Sequence, residues 1–131
     1  MTDEEEIRRL LGRWAQAYDD KDAAGWTGLF VENGRFAVHR PARNHVGRVE
    51  IRSFIDAQIA RSPDRHTKHM CGNPVILFTS PDAADVLVDF VVYSASGGEP
   101  WSVTSIGRYI NKLMRQDGTW YFVENVVTHP A

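Results

Sequence analysis

Two hydrophobic periods divide this chain. Up to about residue 60 the apolar side chains recur every three or four positions, and from about residue 66 they alternate with polar ones every second position. Ile7, Leu10, Leu11, Trp14 and Tyr18 form one stripe and predict an amphipathic helix over residues 2–20. Thr2 with Glu5 three places on has the spacing of a capping box, and the acids Asp3 to Glu6 sit at the positive end of the helix dipole. A short second helix is predicted from Asp22 to Phe30, with Trp26, Leu29 and Phe30 turned inward. Glu32-Asn33-Gly34 reads as a turn, Arg35 to His39 as a strand, and Pro41 to Gly47 as irregular. A third helix fits Val49 to Ala60, with Ile51, Phe54, Ile55 and Ile59 as its stripe and Ser62-Pro63-Asp64 as its stop.

The second half predicts four strands, over His66 to Thr79, Asp85 to Ala95, Trp101 to Arg115 and Trp120 to Thr128. Their separators are rich in Pro, Gly and Asp, and Gln116-Asp117-Gly118 is a strong hairpin signal. Helices first and hairpin-linked strands afterwards imply one α+β domain over residues 1–131: three N-terminal helices packed on a curved, mostly antiparallel sheet that forms a cone-shaped barrel with a pocket inside. Alternation sorts the strand faces without saying which is inner. Leu87, Asp89, Val91 and Tyr93 share one face, and the uniformly apolar Val86, Val88, Phe90 and Val92 share the other. On the following strand neither face is dry, which suits a cavity wall or a subunit contact.

Composition narrows the partners. The 131 residues carry a net charge of −2 with no basic stripe, which argues against nucleic acid. The single Cys71 removes any internal disulfide framework and any cysteine-based zinc site. The start is acidic where a signal peptide needs a positive and then apolar stretch, and no apolar run spans a membrane, so a soluble cytoplasmic protein is expected.

Two polar clusters, fifty residues apart, carry the candidate chemistry. Asp19 lies where the first helix ends, and His69 lies in Arg65-His66-Thr67-Lys68-His69, at the start of the long strand. A neutral imidazole suits proton abstraction near pH 7, and a carboxylate accepting its other N–H fixes its tautomer. His69 is therefore the candidate base, Asp19 its orienting partner, and Tyr18 a hydrogen-bond donor to a substrate oxygen. The alternative is a helix-end Asp19 in a salt bridge and a satisfied core histidine. His66 reads as solvated, and His39 and His45, flanking the Pro41 loop, as exposed. His66 and His69 point to opposite faces of a strand, so no metal site is expected. Trp14, Trp26 and Phe54 are candidate walls of a pocket for a small hydrophobic molecule, with Asp89 as a second polar group and Arg108 as an anchor for an acidic one. Core packing for the aromatics and an outer-face position for the two charges are the competing assignments.

With these elements placed, the chain resembles the SnoaL-like branch of the nuclear transport factor 2-like superfamily. The resemblance rests on Tyr18-Asp19-x-x-Asp22, Trp26-x-x-Leu29-Phe30, Asn33-Gly34-x-Phe36, Gly47-x-x-x-Ile51-x-x-Phe54, His69-x-x-x-Asn73-Pro74 and Asp117-Gly118-x-Trp120-x-Phe122. It implies the cone fold, a homodimer formed through the outer face of the sheet, and a cofactor-independent enzyme. Asp19 and His69 fall on the positions that scytalone dehydratase, bile-acid dehydratases and a dehydrochlorinase use, and Tyr18 on a scytalone dehydratase tyrosine. The second histidine of that site falls near Thr104 and Ser105. The expectation is a dehydratase-type lyase acting on a hydroxy-carbonyl or polycyclic compound, with isomerisation or cyclisation by the same base as the alternative. A non-catalytic subunit, similar to the small subunit of ring-hydroxylating dioxygenases, is the rival from another class.

Overall fold

The computed structural model describes residues 1–130; Ala131, the last residue of the expected domain, lies outside the described residues. Helix α1 spans Asp3–Asp19 and is opened by the anticipated capping box: Thr2 Oγ1 accepts the Glu5 amide at 3.1 Å and Glu5 Oε2 accepts the Thr2 amide at 2.7 Å. Helix α2, Ala23–Thr27, is shorter than its predicted range, and Asp22 caps it by accepting the Gly25 amide. The strands and last helix follow as β1 Phe30–Val38, β2 Arg43–Val46, α3 Arg48–Arg61, β3 Arg65–Ser80, β4 Ala83–Ser96, β5 Ser102–Gln116 and β6 Thr119–Thr128. Among the described residues no helix is long and apolar enough to cross a membrane.

One six-stranded sheet has the order β2-β1-β6-β5-β4-β3. Every pairing is antiparallel except β1 with β6, which is parallel. The sheet is open, with β2 and β3 as its edges, so the cone is curled rather than closed into a barrel. At the β5–β6 hairpin Asp117 and Gly118 both take positive φ, 50° and 79°, which the right-handed twist of two-residue hairpins demands.

Three local expectations are corrected. Glu32-Asn33-Gly34 is not a turn but an irregularity inside β1, where the register against β6 shifts between Phe30 and Arg35. Turn residues also build bulges. Gly34 is needed there because a Cβ would come within 3.2 Å of the Phe122 carbonyl. Phe30 leaves the second helix for the sheet, since the Leu29 carbonyl already accepts the Phe122 amide. The segment taken as irregular contains β2, which pairs with β1 and brings His45 against Phe36 and Phe54 at ring distances of 6.3 and 4.9 Å. His45 is thus half-buried rather than exposed, and its Nε2 is enclosed without a partner.

The inner face of β4 is the uniformly apolar one: Val86, Val88, Phe90 and Val92 are buried under α1 and continue into Tyr109 and Leu113 of β5. Aromatic side chains fill the interior of the cone, where a pocket was expected. Trp26 is wholly buried and its ring lies 5.8 Å from Trp14, 5.2 Å from Phe36 and 6.3 Å from Phe54. Burial of each such side chain contributes about 2–3 kcal/mol. Two buried asparagines complete this core, Trp14 Nε1 donating to Asn125 Oδ1 and Asn125 Nδ2 to Asn111 Oδ1. Asp3 ties the start of α1 to the β5–β6 hairpin by accepting from Trp120 Nε1 and pairing with Arg115, both at 3.0 Å. That fixes where the other end of α1 arrives.

Candidate active site

The last residue of α1 is Asp19, a carboxylate at the negative end of a helix dipole with no basic side chain in the final turn. Its own helix disfavours it there by about 0.3–1 kcal/mol. Edge strand β3 supplies what the helix does not. Thr67 Oγ1 donates to Asp19 Oδ1 at 2.8 Å, the His69 amide to Oδ2 at 2.9 Å, and His69 Nδ1 to Oδ1 at 2.6 Å. The His69 amide can reach a helix because β3 has no neighbour on that side. Burial alone pushes the Asp19 carboxyl up, but the hydrogen bonds from the His69 ring and amide, the nearby imidazole and the Thr67 hydroxyl together hold it below the usual carboxylate range.

Asp19 and His69 are nearly sealed, with side-chain exposures of 5% and 9%. The imidazole stands edge-on between Trp14 and Tyr18, at ring distances of 5.4 and 4.9 Å. In the neutral ring, with Nδ1–H committed to the carboxylate, Nε2 carries the lone pair. Among the described residues Nε2 has no hydrogen-bond partner, and it is not closed off from solvent. Both residues line a cavity of about 470 Å³ between α1 and β3, with Arg8, Gly12 and Gln16 on the helix side and Cys71, Gly72 and Pro74 on the strand side. Gly12 and Gly72 on its walls face open space, and a Cβ at either position would meet nothing within 4 Å. Burial first, and then the Asp19 charge, pushes the Cys71 thiol up to about 11, which leaves it a neutral wall and no nucleophile.

Of the other predicted site residues, Tyr18 and Trp14 flank the His69 ring without lining its cavity, and the rest lie elsewhere. The Tyr18 ring stacks on Trp14, but the side chain lines a separate recess of about 50 Å³ with Lys21, Gln58, Arg65 and Thr67. Burial raises the Tyr18 phenol above its ordinary value, against the opposing pull of Arg65, so at neutral pH it is a donor. Trp14 and Trp26 belong to the filled core, and Phe54 lines a third groove beside Arg43. Asp89 and Arg108 are corrected outright as pocket residues. They face away from the core on the outer surface, opposite one another across β4 and β5, and pair at 2.7 Å. The reason is parity: they alternate with the buried Val88, Phe90 and Tyr109. Thr67 is the contributor the sequence reading missed, although its place two residues before His69 puts it on the same strand face. Among the described residues no three His, Cys, Asp or Glu side chains converge as metal ligands would.

Comparison with known proteins places the fold. The SnoaL-like domain family matches residues 1–125. A nuclear transport factor 2-like protein with a cystatin-like fold from Novosphingobium aromaticivorans is 26% identical over 97% of this chain and 81% of its own, with a TM-score of 0.84. At 22% identity, a provisionally assigned scytalone dehydratase of the same organism shares the fold, with a TM-score of 0.84 over 97% of this chain and 83% of its own. ActVI-ORFA from Streptomyces coelicolor, 18% identical, shares it over 95% of both chains with a TM-score of 0.85. No curated protein matches the sequence. The family match over residues 1–125, with the shared fold beside it, leads to one conclusion: the chain belongs to the SnoaL-like domain family.

Proposed function

We propose that this protein is a cofactor-independent enzyme that removes a proton from carbon in a small hydrophobic substrate, and that its reaction is an elimination of the dehydratase type. The observation that carries the proposal is the Asp19–His69 pair. Asp19 accepts from Nδ1 at 2.6 Å, which leaves a basic, solvent-reachable Nε2 beside a cavity of about 470 Å³. The substrate enters between α1 and β3 and sets its acidic C–H against Nε2. The imidazolium formed is stabilised by the carboxylate it already touches, and the same ring can return the proton to a departing hydroxide, so that water leaves and a double bond forms. Base catalysis of this kind contributes roughly 10²–10⁴-fold. Isomerisation or cyclisation would share the first step.

The test is turnover of a panel of β-hydroxy ketones, followed by the absorbance of the conjugated product, together with nitrogen-15 spectra of the His69 ring. Turnover should fall by about 10²–10⁴-fold in His69→Gln. The ring should hold the Nδ1–H tautomer and lose that preference in Asp19→Asn. A ring with no tautomer preference, and no turnover across the panel, would favour the non-catalytic subunit. The aromatic filling of the cone interior is the observation on that side.

The same proposal has the chain working as a homodimer through the outer face of the sheet. Met70, Leu87, Ile106 and Ile110 are exposed there around the Asp89–Arg108 pair. A two-fold axis through that pair would let each arginine reach the other copy's aspartate while the apolar side chains are buried. Ile106→Arg should give a monomer by sedimentation; an unchanged mass would place any contact elsewhere.

A further inference from the structure

Five arginines of this protein form ion pairs with carboxylates: Arg8, Arg35, Arg52, Arg108 and Arg115. Arg43, Arg61 and Arg65 form none among the described residues, yet the first two meet on one side chain and the third lies in the adjoining recess. Arg61 Nη2 and Arg43 Nη1 both donate to the amide oxygen of Gln58, at 3.2 and 3.0 Å, once that amide is turned so that its oxygen faces them. Gln58 also lines the recess that holds Arg65 and Tyr18, and all three guanidinium groups act on the Tyr18 phenol to lower its pKa. Two cations are therefore held on one neutral amide at the end of α3, and a third, Arg65, which donates to Ser94 Oγ at 3.5 Å, stands across the adjoining recess. Like charges held together cost free energy unless an anion joins them.

The surroundings are preorganised for an organic partner. Arg43 lies over the face of Phe54 at 6.0 Å, and with Arg61 and Gln58 it borders a groove of about 320 Å³. Val49, Phe54 and Ala57 make the groove wall apolar, and the Glu50 carboxylate beside it is occupied by the Val46 amide. His45 lines the same groove, its Nε2 enclosed and without a hydrogen-bond partner among the described residues. None of these residues borders the cavity of Asp19 and His69.

We infer that Arg43 and Arg61, joined at Gln58, form a second binding site, separate from the Asp19–His69 cavity, for an aryl or alkyl oxyanion. The carboxylate or phosphate takes the place of the Gln58 oxygen between the planar guanidinium forks, which suit such groups in paired hydrogen bonds. The apolar body lies along Phe54 and Ala57. This site does not depend on the catalytic proposal.

Calorimetric titration with benzoate, phenyl phosphate and the neutral benzamide tests it. Both anions should bind saturably and benzamide should not, and binding should weaken steeply between 50 and 500 mM salt, concentrations chosen on the order of the screening range. Arg43→Gln and Arg61→Gln should each weaken anion binding by roughly tenfold. His69→Gln should leave it unchanged, which separates this site from the dyad. Without ligand, Arg61→Gln should melt higher than wild type at low salt, because it relieves the repulsion; this reading does not require a ligand to be found. Equal binding of benzamide and benzoate, or anion binding indifferent to both arginine substitutions, would overturn the inference. Anion binding lost in His69→Gln instead would move the ligand to the catalytic cavity and overturn it as well.

Discussion

Two carboxylate pairs on the same sheet have nearly the same contact distance and opposite surroundings. Asp19 and His69 meet at 2.6 Å on the inner side of β3; Asp89 and Arg108 meet at 2.7 Å on the outer side of β4 and β5. The first pair is about nine-tenths or more covered, while the second has side-chain exposures of 40% and 54%. Distance therefore says little about the role of either. Asp19 satisfies two further donors, so removing it strands buried polar groups. In the single copy the outer pair is open to solvent, which replaces either partner at almost no cost. The covered pair can hold a tautomer and sustain an imidazolium, whereas the exposed one acts through its charge pattern on whatever approaches the face.

The contrast can be broken most directly by Asp19→Ala. It should cost about 3 kcal/mol in urea unfolding, because the Thr67 hydroxyl and the His69 amide and ring lose their acceptor at once. A loss near zero would mean that water already serves these groups and that the inner pair is no different from the outer. Acid sharpens the same point. Asp19 is held below its unfolded value, so its contribution is complete above pH 4 or thereabouts and drains away as pH falls through the lower folded value. Melting curves should thus drop below about pH 4 and drop less in Asp19→Asn. Arg108 and Asn73 also hold Asp89 low, but that pair stands in solvent, so 0.5 M salt, on the order of full screening, should erase its part of the acid limb and not that of Asp19.

Gly12→Ala tests the wall of the cavity beside the inner pair. A mid-helix glycine with no neighbour for a Cβ should gain about 0.5–1 kcal/mol as alanine, while Gly12→Leu should remain folded and exclude substrate. Destabilisation by alanine would show that the cavity is tighter than its geometry. The smallest effect is expected from Arg108→Ala, with an unfolding midpoint like that of wild type in high salt and a change confined to self-association by sedimentation.

Much of the frame was legible in the chain itself because periodicity reports burial directly. The stripe of Ile7, Leu10, Leu11 and Trp14, the Thr2–Glu5 box, the Asp117-Gly118 hairpin and the apolar face of β4 are each local patterns, and each formed where its pattern lies. Asp19 and His69 were singled out from the type and placement of two side chains, and the structure sets them 2.6 Å apart. What the chain could not disclose depends on packing between distant segments. Whether Glu32-Asn33-Gly34 turns or bulges is decided by the parallel partner β6, ninety residues on. Whether Asp89 faces a cavity or the solvent depends on which side of the sheet α1 covers, and alternation leaves that sign open. The interior filled by Trp14, Trp26, Phe36 and Phe54, the cavity displaced to the seam between α1 and β3, and the two arginines that meet at Gln58 exist only once helices, edges and loops are brought together. Local sequence sets period and capping; shape, solvent access and the meeting of like charges are properties of the assembled chain.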